Sequence, residues 1–152
     1  MFRNITLAAT LFLLAHVSRA DEPMDHINSY LDAFNSNTGI EAIAAHWHEQ
    51  ISTLSAQGVM FFNSNAEFAE WMKNFHQKLV SKGWVGSELL ASEVCELTDN
   101  TAIVSIKFAR NFKDGKRIEG ASFYTLVKTT GWKIVGASIN NPGVLVGCSD
   151  AT

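Results

Sequence analysis

The chain has 152 residues, of which 47% are hydrophobic and 18% charged, with a formal net charge of −3. That length suits one domain. The slight acidity excludes a general nucleic-acid binder, which needs basic surface to neutralise phosphates.

The first stretch, "MFRNITLAATLFLLAHVSRA", has a basic Arg3, an apolar run from Ile5 to Val17 and the small residues Ser18 and Ala20 around Arg19. This pattern predicts a secretory signal peptide over residues 1–20, cleaved after Ala20. The run is shorter than the ~20 apolar residues a bilayer span needs, so no membrane association is expected after cleavage. What remains is a domain over 21–140 and a tail over 141–152, exported to the periplasm or the medium. Arg3 and Arg19 leave with the leader, so the 12 basic residues become 10 against 15 acidic ones. Export places Cys95 and Cys148 in an oxidising space, where they form either one bridge or two separate thiols.

The mature chain opens with helices. Pro23 suits a first helical position, and Ile27, Tyr30, Leu31 and Phe34 form one apolar stripe. "NSNTG" ends this helix. Thr38 and Glu41 read as a capping box for a short second helix with the stripe Ile40, Ile43, Ala44 and Trp47. Two short strands follow, Gln50–Ser55 and Val59–Phe62. Ser64 and Glu67 form another capping box. They open the longest helix, which runs to about Lys82, with Phe68, Trp71, Met72, Phe75 and Leu79 on its apolar face and Gly83 closing it.

From Trp84 the period changes from 3.6 to 2. Four strands are predicted over Trp84–Leu97, Thr101–Lys113, Lys116–Lys128 and Trp132–Ile139, joined by "TDN", "DG" and "TTG". Asp114-Gly115 signals a tight hairpin with positive φ at both central residues. Connections this short make an antiparallel meander, and strands this long must coil. The concave face of such a sheet needs the helices to cover it.

This element order resembles the cone-shaped α+β fold of the NTF2-like (cystatin-like) superfamily, with three N-terminal helices packed on a strongly curved antiparallel sheet. "YLDAFNSNTGIEAIAAHWHEQISTLSAQGV" is similar to the opening of SnoaL-like members, and "NAEFAEWMKNF" to their third helix. "TAIVSIKFARNFKDGKRIEGASFYTLVKTTGWKIVGASI" is similar to their last three strands. The resemblance spans about Met24 to Ile139. It implies the fold, and it leaves the activity open between cofactor-independent enzymes and non-catalytic binders. A homodimer is implied by the resemblance alone.

Three readings compete for His46-Trp47-His48-Glu49. On a strand, His-x-His would point both rings to one face, as some metal sites need. Glu49 would then face away, and neither His26 nor His76 is spaced as a further ligand, so no metal is expected. Acid–base chemistry is the second reading, with His48 as a base and Tyr30, Tyr124 or Arg110 stabilising negative charge. The long strands lack the interior aspartate that the superfamily's isomerases and dehydratases use, so no enzyme's full constellation carries over. In the third reading, which is preferred over the other two, Trp47 belongs to the core while His46 and His48 flank it, one at the surface and one at the pocket rim.

Arg110 shares a face with Val104, Ile106, Phe108 and Phe112. A charge on an apolar face either pairs, reaches solvent along its stem, or anchors an anion or carbonyl at the pocket mouth. Tyr124 faces the same way as Ser122 and Leu126. Trp71 and Phe75 serve the helix core and are candidates for the cavity wall. The leading expectation is an exported domain that binds a small apolar or amphipathic molecule in its cone through Tyr30, His46, Trp71, Phe75, Arg110 and Tyr124, without a cofactor. Enzyme chemistry through His48 is the alternative, and a protein-interaction module that uses the outer sheet face is the third.

Overall fold

The computed structural model describes residues 22–36, 38–56, 58–140, 144–145 and 147–148. The expected leader over 1–20 and most of the expected tail over 141–152 lie outside them. Helix α1 (Pro23–Asn35) begins at its proline and buries Ile27, Tyr30 and Phe34, the stripe read from the sequence. Ile27 is wholly buried, and removing such a side chain from water is worth roughly 2 kcal/mol.

Helix α2 (Ile40–Ala44) is a single turn. Its N-cap is Gly39 at φ 104°, with no side-chain cap, so the expected Thr38–Glu41 box does not form. Strand β1 (Trp47–Ser55) starts three residues earlier than expected and takes Trp47 out of the helix. Strand β2 (Gly58–Phe62) returns beside it. Helix α3 (Asn65–Ser81) does use its capping residue, because Ser64 Oγ accepts from Glu67 N at 3.2 Å. The Glu67 carboxylate accepts from the amide of Asn63, one residue upstream of the cap. Gly83, at φ 85°, closes the helix through its N–H to the Val80 carbonyl at 2.9 Å.

The meander β3 (Trp84–Thr98), β4 (Thr101–Phe112), β5 (Arg117–Lys128) and β6 (Trp132–Asn140) runs in sequence order. The β4–β5 hairpin differs in its turn. Gly115 N donates to Phe112 O at 3.0 Å and Phe112 N to Lys116 O at 2.9 Å, which makes a three-residue loop with the left-handed glycine last. In the six-stranded order β2-β1-β6-β5-β4-β3, β1 lies parallel to β6, so the sheet is not wholly antiparallel. The register of β3 on β4 shifts three times, near Trp84, Leu90 and Leu97. Such bulges bend a strand and raise its twist. The resulting trough takes α1 against β3, β4 and β6, and α3 against β1, β2 and β3. One core joins the helices to the inner sheet face through Phe68, Val104, Ile106, Leu126 and Ile134.

A disulfide joins Cys95 to Cys148 with 5.2 Å between their Cα atoms. Cys95 is paired in register with Ile103, whose neighbours Ala102 and Val104 point into the core. The bridge therefore sits on the outer sheet face, away from the helices.

Candidate functional site

The trough is not filled to its mouth. A cavity of about 710 Å³ opens between α1, α3 and the inner sheet face, within the size range of pockets that hold drug-sized molecules. Tyr30, Leu31 and Phe34 contribute from α1, and Trp71, Met72 and Phe75 from α3. The β1–β2 end adds Thr53 and Met60, and the meander adds Ile106, Phe108, Arg110, Ser122, Tyr124 and Ala137. The cross-strand pairs Arg110–Ile118, Phe108–Gly120, Ile106–Ser122 and Val104–Tyr124 set this face. Gly120 matters for it, because a Cβ there would lie 2.7 Å from Phe108 Cζ. Only glycine lets the Phe108 ring lie across β5.

Two further devices shape the opening. Asn35, the last residue of α1, exchanges two hydrogen bonds of 2.9 Å with the backbone of Ser87 and so ties the helix end to β3. Trp84 Nε1 donates to Ser87 Oγ at 3.2 Å. Trp71 and Phe75 stack with 5.7 Å between centroids and 5° between planes. They are half-buried, serving core and cavity wall together.

The polar groups gather around Tyr30 and Tyr124. Their rings meet edge-on at 5.7 Å, and Ser122 lines the cavity beside Tyr124. Burial is the main reason that the Tyr30 hydroxyl is pushed well above its usual range and that of Tyr124 to about 12. Both are therefore neutral phenols at physiological pH. Arg110 lies over Phe108 and Phe75, its guanidinium carbon 5.1 and 5.4 Å from the two ring centroids. Burial lowers its pKa, while Tyr124 and Tyr30 oppose that shift. An arginine stays charged through shifts of this kind. Trp47 Nε1 and Thr53 Oγ1 are buried polar atoms with no hydrogen-bond partner among the described residues, and both residues line the cavity.

The structure thus brings Tyr30, Trp71, Phe75, Arg110 and Tyr124 together, and leaves both histidines out. His46 sits in the turn before β1, behind Tyr30, with ring centroids 6.1 Å apart. It packs on His26 at 4.9 Å, and its carbonyl lies 3.0 Å from His26 Nε2. Burial first, then His26 and Lys133, lower its pKa to about 4. It supports the wall from behind rather than lining it.

His48 lines a separate small depression with Glu49, Asn65, Thr129 and Lys133, and its Nδ1 accepts from Gln50 N at 3.2 Å. A base must reach the proton it takes, so His48 is not placed to act on the cavity's contents. The two rings do not share a strand face, because the strand begins at Trp47, between them. Among the described residues, no group of three or more His, Cys, Asp or Glu is gathered as a metal would require.

Asn65 was not singled out in the sequence, yet it organises this turn. Its Nδ2 reaches the carbonyls of Ala44, Trp47 and His48 at 2.9, 3.1 and 3.3 Å. The signal in the sequence was its place directly after the Ser64 cap, where a side chain can reach back over the helix start.

The sequence model of the family described as "NTF2-like protein (DUF6841)" matches residues 21–142, and the chain belongs to that family. Solved structures agree on the fold. An NTF2-like protein of unknown function from Shewanella oneidensis MR-1 is 19% identical, with a TM-score of 0.62 over 78% of this chain and 98% of that one. Another NTF2-like protein of unknown function, from Pseudomonas putida KT2440, is 13% identical, with a TM-score of 0.63 over 77% and 82%. An NTF2-like protein with a cystatin-like fold from Novosphingobium aromaticivorans is 19% identical, with a TM-score of 0.60 over 84% and 80%. No curated protein matches the chain.

Proposed function

We propose that this member of the NTF2-like family is an exported binding protein that takes one small, largely apolar molecule into its cavity. The observation that carries the reading is the cavity of about 710 Å³, walled mainly by aromatic and aliphatic side chains, with Tyr30, Arg110, Ser122 and Tyr124 among its polar groups. That combination of apolar surface and few, convergent polar groups is how small-molecule sites are built. A module that acted only through its outer sheet face would have no need of such a space. The Cys95–Cys148 bridge is in keeping with an oxidising compartment, and so with export.

The arrangement favours binding over catalysis. Among the described residues no histidine lines the cavity. The carboxylates at its edge, Asp32 and Glu88, are exposed. Glu88 is paired with Arg117 at 2.7 Å. The buried phenols are neutral donors, held too far above neutrality to serve as bases.

N-Phenyl-1-naphthylamine, an uncharged dye that brightens in apolar surroundings, tests the reading. The wild-type chain should bind it with saturation at one site. Ala137→Phe, which puts a ring into the cavity from β6, should weaken it by at least about tenfold. A wild-type protein that leaves the dye dark, or an Ala137→Phe variant that binds it unchanged, would refute cavity binding.

A further inference from the structure

We propose that the cavity's ligand is an organic anion, an amphiphile whose single carboxylate or similar group is held by Arg110 while its apolar body lies along Trp71 and Phe75. This inference rests on the binding function proposed above and adds the ligand's charge.

The argument begins with what Arg110 lacks. Among the described residues, no carboxylate forms an ion pair with it and no acceptor takes a hydrogen bond from it; Glu88, the carboxylate on the same stretch of β3, is paired with Arg117 instead. Its described neighbours are the faces of Phe75 and Phe108 and the hydroxyls of Tyr30 and Tyr124. The phenols are neutral, so neither is a counterion. A guanidinium taken partly out of water without a counterion is costly. Contacts with two rings offset part of that cost through cation–π attraction. A ring contact of this kind supplies no counterion, and the guanidinium N–H donors have no hydrogen-bond acceptor among the described residues. Such a planar set of donors binds a carboxylate through two parallel hydrogen bonds.

The remaining charges on the lining sharpen the point. Asp32, Lys78 and Glu88 are exposed, where water screens them. Arg110 is the half-buried one. A neutral ligand would bury this charge more deeply and give it nothing in return. An anion would be paired with it, with the buried hydroxyl cluster of Tyr30, Tyr124 and Ser122 nearby.

The test uses the same dye as a reporter. Naphthalene-2-carboxylate and naphthalene-2-carboxamide share one ring system and differ in charge. In the wild-type chain the carboxylate should displace N-phenyl-1-naphthylamine at a concentration at least about tenfold below that of the amide. Arg110→Met should erase that preference while still binding the dye, and Arg110→Lys should retain part of it. An amide that competes as well as the carboxylate in the wild-type protein overturns the anion inference and leaves cavity binding standing. A preference that survives Arg110→Met overturns it as well. If the dye does not bind the wild-type protein, the binding function fails, and this inference with it. The wild-type comparison needs no variant, so it decides the matter even if Arg110→Met folds poorly.

Discussion

Breaking the Cys95–Cys148 bridge should destabilise the protein without weakening its cavity. The two cysteines are 53 residues apart in sequence. Closing a loop of that size removes about 14 cal/mol/K of entropy from the unfolded chain, or about 4 kcal/mol at 25 °C. Measured losses commonly fall below this ceiling, so about 2–4 kcal/mol is expected. That is a large share of the ~5–15 kcal/mol that holds a typical domain together. Cys148→Ser is the cleaner substitution, because Cys148 is exposed and Cys95 is 7% exposed. It leaves a buried thiol at position 95, which packs as a small apolar group. Urea unfolding followed by tryptophan fluorescence would give the difference, provided the slope with denaturant is compared as well. The dye affinity should be unchanged, since the bridge lies on the opposite face of the sheet from the cavity. A loss below about 0.5 kcal/mol would mean that the tail frays without consequence and that the loop-entropy reasoning fails here.

The titration of His46 should appear as acid lability. Its pKa falls from 6.5 in the unfolded chain to about 4 in the fold, so its contribution is present above pH 6.5 and is lost as pH falls toward 4. With half the ring exposed to screening, the effect is on the order of 1 kcal/mol. A comparison of unfolding midpoints for wild type and His46→Gln between pH 7 and pH 4 isolates it. Tyr124 acts at the other end. Its pKa rises from 10.0 to about 12 on folding, so stability is full below pH 10 and is lost as pH rises toward 12. The difference is about 3 kcal/mol, and Tyr124→Phe should remove that part of the alkaline slope. Gly120→Ala should cost about 1–3 kcal/mol, because the new methyl meets Phe108 Cζ at 2.7 Å. The loss should shrink in the Phe108→Leu background, and additive losses in the double variant would show that the ring is not the cause.

Much of the fold was legible because it is local. The stripe of α1, the Ser64 cap, Gly83 and the long meander strands are written in short-range pattern, and each forms. What was missed is long-range. Trp47 fits a helical stripe with Ile40, Ile43 and Ala44, but β6 offers its residues a parallel partner, and Asn65 ends the helix by binding the turn carbonyls. No pattern near Trp47 contains that information. The Asp114-Gly115 hairpin was right in place and wrong in turn type, because the sequence shows which residues can turn but not how many the loop will use. For the site, alternation grouped Arg110 with Ile106 and Phe108 on β4 and Tyr124 with Ser122 on β5; the β4–β5 register puts both sets on one face, opposite Tyr30, which the sequence also offered. His46 and His48 lie off the cavity lining, which residue chemistry could not say, because it does not tell which side of a wall a ring occupies. The cavity itself has no residue that encodes it. It arises between α1, α3 and the inner face of a sheet whose β3 carries three register shifts.

The parallel seam between β1 and β6 also sets an order of events during folding. Each hairpin of the meander joins neighbours in sequence and closes at small entropic cost, whereas Ser52 has to find Gly136 across most of the domain. The β1–β2 hairpin therefore cannot join the sheet until the last strand is available, although α1 and α3 can already pack on β3. The slowest step should be the docking of β1 on β6, and weakening that seam should slow folding more than an equal loss within the β4–β5 hairpin.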